Sequence, residues 1–210
     1  MDNQLVHHDE DLNIAALRQQ DPAEFEQLYR IFAPSLQRYL IRLCRDPHLA
    51  DDLLQDTFRK AYCAFPSIAP DIQLRPWLYA IATNTARSAA RRAYWRRVHS
   101  CNDAVLEQQS SAQCPLEAQA VEAELVERTF RALKPDDASL VLLHWHEGFS
   151  IDELCRMLEL PRDTLKKRLY RAKKAFSAAY AYEYAVSTPA QRLSNSVSYE
   201  GPIAPRYQEE

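Results

Sequence analysis

Apolar residues recur at helical spacing along the first part of the chain. Between residues 25 and 43, and again between 49 and 62, they repeat every three or four positions, which places them on one face of a helix. Asp21-Pro22 and Asp46-Pro47 precede these runs and predict two helix starts, with Asp as the N-cap and Pro in the first turn. Pro34 lies inside the first run and is expected to bend or break that helix.

The next stretch predicts a proline-bounded loop followed by a long helix. Three prolines mark residues 66–76, and after Pro76 no proline occurs until Pro115. The apolar spacing from Trp77 onward predicts a helix that ends in arginines. Residues 100–116 are polar and have no periodicity, so they are expected to form a linker.

A helix-turn-helix is predicted near residues 148–176. Gly148 is expected to stop the preceding helix, because glycine adopts the left-handed conformation at little cost. Ser150 and Glu153 have the spacing of a capping box, which predicts that a new helix starts there. A turn at Leu160-Pro161 leads to a second helix. The predicted buried face of that helix consists of Leu165, Leu169, Ala172 and Phe176.

Composition supports an all-helical chain. The 210 residues include two glycines and twelve prolines, and no segment shows the sustained alternation of a β-strand. We therefore predict an all-α fold of two small helical domains joined by a flexible linker. The predicted organisation is an acidic N-terminal extension (1–20), a first domain (21–99), the linker (100–116), a second domain (117–182) and a disordered tail (183–210).

The net charge of −3 hides a segregated distribution. Residues 1–27 carry seven acids and one arginine, and residues 101–130 carry six acids and one arginine. In contrast, residues 72–102 carry six arginines and no acid, and residues 161–175 carry seven Lys or Arg and one acid. Two basic segments separated by acidic ones indicate two nucleic-acid contacts on separate bodies. A basic helix alone more commonly is a solvated surface, but the capped helix and tight turn before this one favour groove binding.

Several other classes of protein are not supported. No apolar stretch approaches the roughly 18 residues that cross a bilayer, and the N-terminus has no signal-peptide pattern, so a cytoplasmic protein is expected. The cysteines, odd in number, suit reduced thiols, and those at 44, 63 and 155 are expected in helix cores. His144 and His146 are two positions apart rather than four, so no metal is expected. Without a catalytic triad or phosphate-binding loop, neither enzyme activity nor a cofactor is expected.

Four motifs occur in an order that resembles the extracytoplasmic-function sigma factors of bacterial RNA polymerase. In the first body, residues 25–29 (FEQLY), 51–58 (DDLLQDTF) and 76–87 (PWLYAIATNTAR) are similar to the family's region 2. In the second body, the helix-turn-helix with its capping box is similar to region 4. Ser88 departs from the pattern, because the family usually carries Asp at that position.

The resemblance implies a transcription initiation factor that binds core RNA polymerase, recognises the −35 and −10 promoter elements and promotes melting. It also implies an anti-sigma protein as an inhibitory partner. The implied polymerase contacts are Asp52, Leu53, Gln55, Asp56 and Phe58. The implied −10 contacts are Arg75, Trp77, Asn84, Arg87, Arg91 and Arg92, although Trp77 is more typical of a core residue. The implied −35 contacts are Arg162, Thr164, Lys166, Lys167, Arg168 and Arg171.

Two other functions stay open on the sequence. A helix-turn-helix regulator could bind duplex DNA without polymerase, but it would need neither an acidic partner-binding helix nor a melting loop. A helical protein-binding module could use its basic faces for an acidic partner. Promoter binding with and without core polymerase would separate these three functions.

Overall fold

All of the regular secondary structure is helical in the part of the chain that the computed structural model describes, which is residues 12–99 and 117–187. For residues 93–99, 117–123 and 187 this description covers the backbone only. The predicted all-α class is confirmed. The predicted linker, residues 100–116, and the tail beyond residue 187 lie outside the described residues.

Three long helices form the body of the first part of the chain. The elements are α1 (Ile14–Arg18), α2 (Pro22–Cys44), α3 (Pro47–Ala64), a 3-10 turn (Phe65–Ser67) and α4 (Leu74–His99). The carboxylate of Asp21 caps α2 by accepting hydrogen bonds from two backbone N–H groups. That of Asp46 caps α3 by accepting from the Leu49 N–H at 3.1 Å. Both predicted helix starts are confirmed.

Helices α2, α3 and α4 pack against one another around a common apolar core. The buried residues include Leu28, Leu36, Tyr39, Leu40, Leu53, Leu54, Phe58, Leu78 and Ala82. Two polar contacts tie α4 to its neighbours. The hydroxyls of Tyr39 and Thr83 are 2.8 Å apart, and Lys60 Nζ donates to Thr85 Oγ1 at 2.8 Å. This packing holds the exposed faces of α3 and α4 in place.

A bend or a break was predicted at Pro34, and helix α2 runs through it without interruption, so the helix does not break there. Pro34 is exposed, whereas Phe32 and Leu36 on either side of it are buried at 3% and 0% exposure. The carbonyl that loses its intrahelical donor at the proline therefore can be hydrated on the solvent side. Burial of the neighbouring turns stabilises the helix more than the local preference of proline weakens it.

Helix α1 was not predicted from the sequence pattern. Leu12 and Leu17 are buried, with 6% and 0% of their surface exposed. The Asn13 N–H donates to the Glu24 carboxylate at 2.6 Å, and Gln20 Nε2 donates to the carbonyl of Tyr62 at 3.0 Å. Residues 12–20 are thus part of the first domain, which corrects the predicted boundary of the N-terminal extension at residue 20.

The second part of the chain contains four further helices within residues 117–187. They are α5 (Glu117–Ala132), α6 (Pro135–Val141), which continues into a π-helical turn (Leu142–His146), α7 (Ile151–Leu158) and α8 (Arg162–Ser187). Helix α8 extends five residues beyond the predicted domain end at 182. Contacts divide the described chain into two compact units. One contains the residues up to 99 with Phe149–Lys167, and the other contains 117–148 with the rest of α8.

The predicted features of the helix-turn-helix are present. Gly148 has a positive φ of 75°, and the reciprocal hydrogen bonds of a capping box join Ser150 and Glu153. Helix α7 ends at Leu158, and its C-cap, Glu159, adopts the left-handed conformation. Leu165, Leu169 and Ala172 are buried as predicted. Phe176 is half-buried, and its ring packs 5.3 Å from that of Phe130.

Three residues of α3 differ from the sequence prediction. Leu49 and Tyr62 are 38% and 37% exposed, although both belong to the predicted apolar stripe. Cys63 is exposed rather than part of a core. At about 100° of rotation per residue, Leu49 and Tyr62 fall at the two edges of the buried face, and Cys63 falls opposite to it. Periodicity identified the helix but assigned too wide a face to the core.

Candidate nucleic-acid and partner interfaces

An acidic and amide face lies on the solvent side of α3. Asp52, Gln55, Asp56 and Arg59 fall within an arc of about 100° and line a shallow depression of about 500 Å³. Arg59 Nη2 is 3.1 Å from Asp56 Oδ1, and both side chains remain exposed, at 65% and 40%. Asp52 is exposed and takes part in no ion pair among the described residues. The face therefore offers one unengaged carboxylate and one shared with Arg59.

Leu53 and Phe58 do not belong to this face, which corrects two of the implied polymerase contacts. Each is only 3% exposed. The Phe58 ring packs 4.6 Å from the ring of Tyr29 and 6.2 Å from that of Phe25. Both side chains are in the core between α2 and α3, where they fix the position of the acidic face.

A row of polar and basic side chains follows the outer side of α4. Asn84, Arg87 and Arg91 are spaced three and four residues apart, which places them within an arc of about 60°. Asn84 and Arg91 are exposed, and Arg87 is half-buried. Arg92 is also exposed, about 100° further round the helix from Arg91. Since residues 72–102 include no acid, this row lies in a segment of uniformly positive charge.

Arg75 lies on the opposite side of α4 from that row, whereas Trp77, seven residues before Asn84, falls within about 20° of it on the same side. The predicted loop 66–76 is shorter in the structure, because α4 already begins at Leu74. Arg75 is therefore in the first helical turn, with its guanidinium carbon 5.5 Å from the ring centre of Tyr79 and 4.2 Å from that of Phe149. Trp77 packs 5.5 Å from Phe65. Both residues thus contact aromatic side chains, and Trp77 is half-buried rather than part of the fully buried core.

The predicted −35 contacts on α8 fall on two sides of the helix. Thr164, Lys167, Arg168 and Arg171 lie within an arc of about 100° on one side. Arg162 and Lys166 lie on the other side of the helix, each about 160° from Thr164. No ion pair involves Lys166, Lys167, Arg168 or Arg171 within residues 12–99 and 117–187. Thr164, Lys167, Arg168 and Arg171 therefore share one side of α8.

Arg162 has a partner that the sequence analysis did not identify. Its Nη1 donates to Oδ1 of Asp152, which lies in the first turn of α7. The two side chains are 56% and 68% exposed. The pair joins residues ten positions apart across the turn between α7 and α8. It therefore holds the first side chain of α8 against the start of α7.

Comparison with known proteins identifies the family. Residues 28–96 match the model for sigma-70 region 2, and residues 123–176 match that for sigma-70 region 4. The RNA polymerase sigma factor CarQ of Myxococcus xanthus is 31% identical over 152 residues, which cover 70% of this chain and 83% of CarQ. The chain belongs to the sigma-70 family. Its relatives place it in the extracytoplasmic-function class, so it is an alternative sigma factor for transcription initiation.

Other similarities agree with this family. The extracytoplasmic-function sigma factor SigM of Bacillus subtilis is 27% identical over 157 residues, 74% of this chain and 94% of SigM. The fold is similar to that of the sigma factor RpoE of Bartonella quintana, solved in complex with the anti-sigma factor NepR. The TM-score is 0.64 at 23% sequence identity, with 75% of this chain and 97% of the other covered.

The region 2 match spans most of α2, α3 and much of α4, and the region 4 match ends at Phe176 within α8. The acidic face and the α4 row of this sigma factor therefore both lie in region 2. Helix α1 and the last part of α8 lie outside the matched ranges. Among the described helices, none is long and apolar enough to span a membrane. The described residues also contain no cluster of three or more His, Cys, Asp or Glu placed to bind a metal.

Two residues of the candidate interfaces were missed from the sequence. Arg59 has the i, i+3 spacing from Asp56 that often gives an ion pair on a helix, so this contact was accessible to sequence reasoning. Asp152 had no such signal, because its distance from Arg162 depends on the angle between two helices.

Proposed function

We propose that this sigma factor uses three separate helix faces: the acidic face of α3 for core RNA polymerase, the α4 row for the −10 element, and α8 for the −35 element. The observation that carries the proposal is the separation of charge between exposed faces of different helices. The α3 face holds an unengaged carboxylate, whereas the groove-facing side of α8 holds three cations without an acidic partner among the described residues. The proposed role requires no catalysis by the chain itself, and binding to polymerase would place it in the cytoplasm.

The proposed polymerase site consists of Asp52, Gln55 and Asp56. Complementary charge across an interface speeds encounter and fixes the register between partners. Asp52 is the strongest candidate, because its carboxylate is exposed and needs no rearrangement to meet a cation. Asp56 already shares its charge with Arg59 at 3.1 Å, so a partner would have to compete for it or bind both. A basic partner helix that also carries a hydrogen-bonding side chain for the Gln55 amide fits this face.

The proposed −10 site consists of the row Asn84, Arg87 and Arg91, with Arg92 at its edge. An amide side chain can hydrogen-bond a base edge, and neighbouring arginines can follow the phosphates of a separated strand. Arg75 and Trp77 contribute to the support of this helix, since both pack on aromatic rings. We therefore expect substitution of Asn84 to alter base preference and substitution of Arg91 to weaken binding to all sequences.

The proposed −35 site is the arc formed by Thr164, Lys167, Arg168 and Arg171. In a helix-turn-helix the second helix enters the major groove, where Arg and Lys can read O6 and N7 of guanine. The cations that do not meet a base would bind phosphate. Lys166 lies on the other flank and is suited to phosphate.

The decisive experiment reverses the charge of the α3 face. In the double variant Asp52→Arg with Asp56→Arg, we expect loss of binding to core polymerase and loss of promoter opening. The fold should be retained, because both residues are outside the core and exposed ion pairs contribute about 1 kcal/mol or less to stability. Binding to core is measured by titration of labelled sigma factor, and folding by circular dichroism.

The matched control is Asp51→Arg. Asp51 is adjacent in the same helix, about 100° round from Asp52, and its carboxylate already accepts a hydrogen bond from Gln37 Nε2 at 2.8 Å. We expect this variant to bind polymerase nearly as the wild type does. Transcription that survives the double reversal at unchanged fold would contradict the polymerase assignment.

The anti-sigma partner stays a prediction, and purification from native cells that yields polymerase but never a second small protein would contradict it.

A further inference from the structure

The pair between Asp152 and Arg162 connects the two helices of the helix-turn-helix at the end that faces DNA in such motifs. Arg162 is the first residue of α8, and the first residues of a recognition helix are those that contact base edges. Asp152 is in the first turn of α7, whose start is fixed by the capping box of Ser150 and Glu153. The carboxylate therefore occupies a defined position next to the start of the recognition helix.

An exposed acid is an unexpected neighbour for a DNA-binding arginine, because phosphate repels it. The side chain of Asp152 is 68% exposed, so Asp152 is not needed to compensate a buried charge. Exposed ion pairs also contribute little to stability. Asp163, the next residue in α8, is exposed too and makes no ion pair among the described residues, so acidity alone does not explain the contact. What distinguishes Asp152 is its bond to one end of a guanidinium.

We infer that Asp152 is a positioning residue for sequence recognition: it orients Arg162 so that this side chain contacts one defined base pair at the edge of the −35 element. The inference rests on the proposed −35 function of α8. Arg162 then belongs to the reading surface despite lying on the opposite flank from the arc of Thr164 and Arg171.

The hydrogen-bonding geometry of arginine permits this role. The carboxylate of Asp152 binds at Nη1, which leaves the edge formed by Nε and Nη2 with donors that point the same way. Two such donors match the O6 and N7 acceptors of guanine in the major groove. A long side chain that is already held by an ion pair loses less conformational freedom when it binds. The pair also cancels most of the field of Arg162, which reduces its attraction to phosphate of any sequence.

The test is a selection for bound DNA by the reconstituted holoenzyme. Core RNA polymerase carrying the full-length sigma factor is incubated with a library of randomised duplexes, and the bound fraction is sequenced. For Asp152→Asn and Asp152→Ala we expect the preference at one or two adjacent base pairs of the upstream element to fall about fivefold or more, while other positions keep theirs. Arg162→Ala should lose the same preference, and the double variant should lose no more.

The matched control is Asp163→Asn, which removes the same charge one residue from Arg162. It should leave every base preference intact. Asp152→Glu keeps a carboxylate and should restore part of the lost preference. Circular dichroism on each variant checks that the helices form. A role in folding alone would lower total binding and leave the relative preferences unchanged.

Three results would overturn the inference. Unchanged preferences in both Asp152 variants would show that Arg162 needs no orientation. An equal loss at all positions would assign the pair to folding or to phosphate binding. The same loss in Asp163→Asn would assign the effect to charge alone. If the wild-type holoenzyme itself showed no upstream preference, the proposed −35 function would fail and the inference with it, whereas a wild-type preference that survives Asp152→Asn refutes the inference only.

Discussion

The capping box of α7 offers a quantitative test of how the helix-turn-helix is stabilised. Three hydrogen bonds join Ser150 and Glu153. The Glu153 N–H donates to Ser150 Oγ at 3.2 Å, the Ser150 N–H donates to Glu153 Oε2 at 2.8 Å, and Ser150 Oγ donates to the same oxygen at 2.6 Å. Helix α7 has eight residues, too few to be stable by itself, so its caps matter more than those of a long helix.

The expected magnitudes follow from which bonds each substitution removes. Ser150→Ala removes both bonds that use Oγ, and loss of such a cap costs about 1 kcal/mol. Glu153→Ala removes both bonds that use the carboxylate, and we expect a similar cost of about 1 kcal/mol. The bond between Oγ and Oε2 is lost in either single variant. The double variant should therefore cost less than the sum of the two, by about 0.5 kcal/mol or more.

The assay is urea unfolding followed by circular dichroism, together with amide exchange of the α7 backbone, which reports this helix separately. Ser150→Thr retains a hydroxyl and serves as the control, with an expected change of less than about 0.5 kcal/mol. Strictly additive single variants would refute the shared hydrogen bond. No effect of Ser150→Ala on the exchange of α7 would refute the view that the box stabilises this helix.

Two further predictions concern single residues. Gly148 has a φ of 75° and open space where a Cβ would lie. Gly148→Ala should therefore lower the free energy of unfolding by about 1 kcal/mol through backbone strain alone, and Gly148→Asn should lower it less. Equal stability of all three proteins in urea would contradict this. Burial raises the pKa of the Cys44 thiol to about 11, with a further increase from Asp46 and a partly opposing effect of Arg45. At pH 9, therefore, only about one Cys44 thiol in a hundred is ionised. Exposed Cys63 should therefore react with iodoacetamide about tenfold faster or more, and equal rates measured by peptide mass spectrometry would refute the buried environment of Cys44.

Helix positions could be predicted where they depend on residues close together in the sequence. The caps at Asp21 and Asp46 and the box at Ser150 each act within one helical turn, so spacing alone identifies them. Pro34 shows the limit of local rules, because packing of α2 on its neighbours outweighs the preference of one exposed proline. Helix α1 was missed because it has only five residues and one buried leucine, Leu17, which cannot show a period.

The candidate interfaces could be predicted as helices but not as individual side chains. Leu53 and Phe58 belong both to the motif that resembles the family and to the predicted apolar stripe of α3, and the structure confirms that they face inward. The side chains of Arg162 and Asp152 meet because the turn between α7 and α8 sets an angle that no spacing rule encodes. Sequence motifs locate the surface, and tertiary contacts determine which residues are available on it.

The charge distribution gives a reason why such a chain would act on DNA when a larger partner holds it. Residues 161–175 carry seven cations, but the chain as a whole has a net charge of −3, which weakens the long-range attraction of the free protein to DNA. Tethering on polymerase would raise the effective concentration at the promoter to about the millimolar range, at which weak contacts suffice. When phosphate attraction is weak, base contacts form a larger share of the binding energy. An acid beside Arg162 then favours recognition, because it lowers attraction to every sequence and leaves the contribution of the correct base.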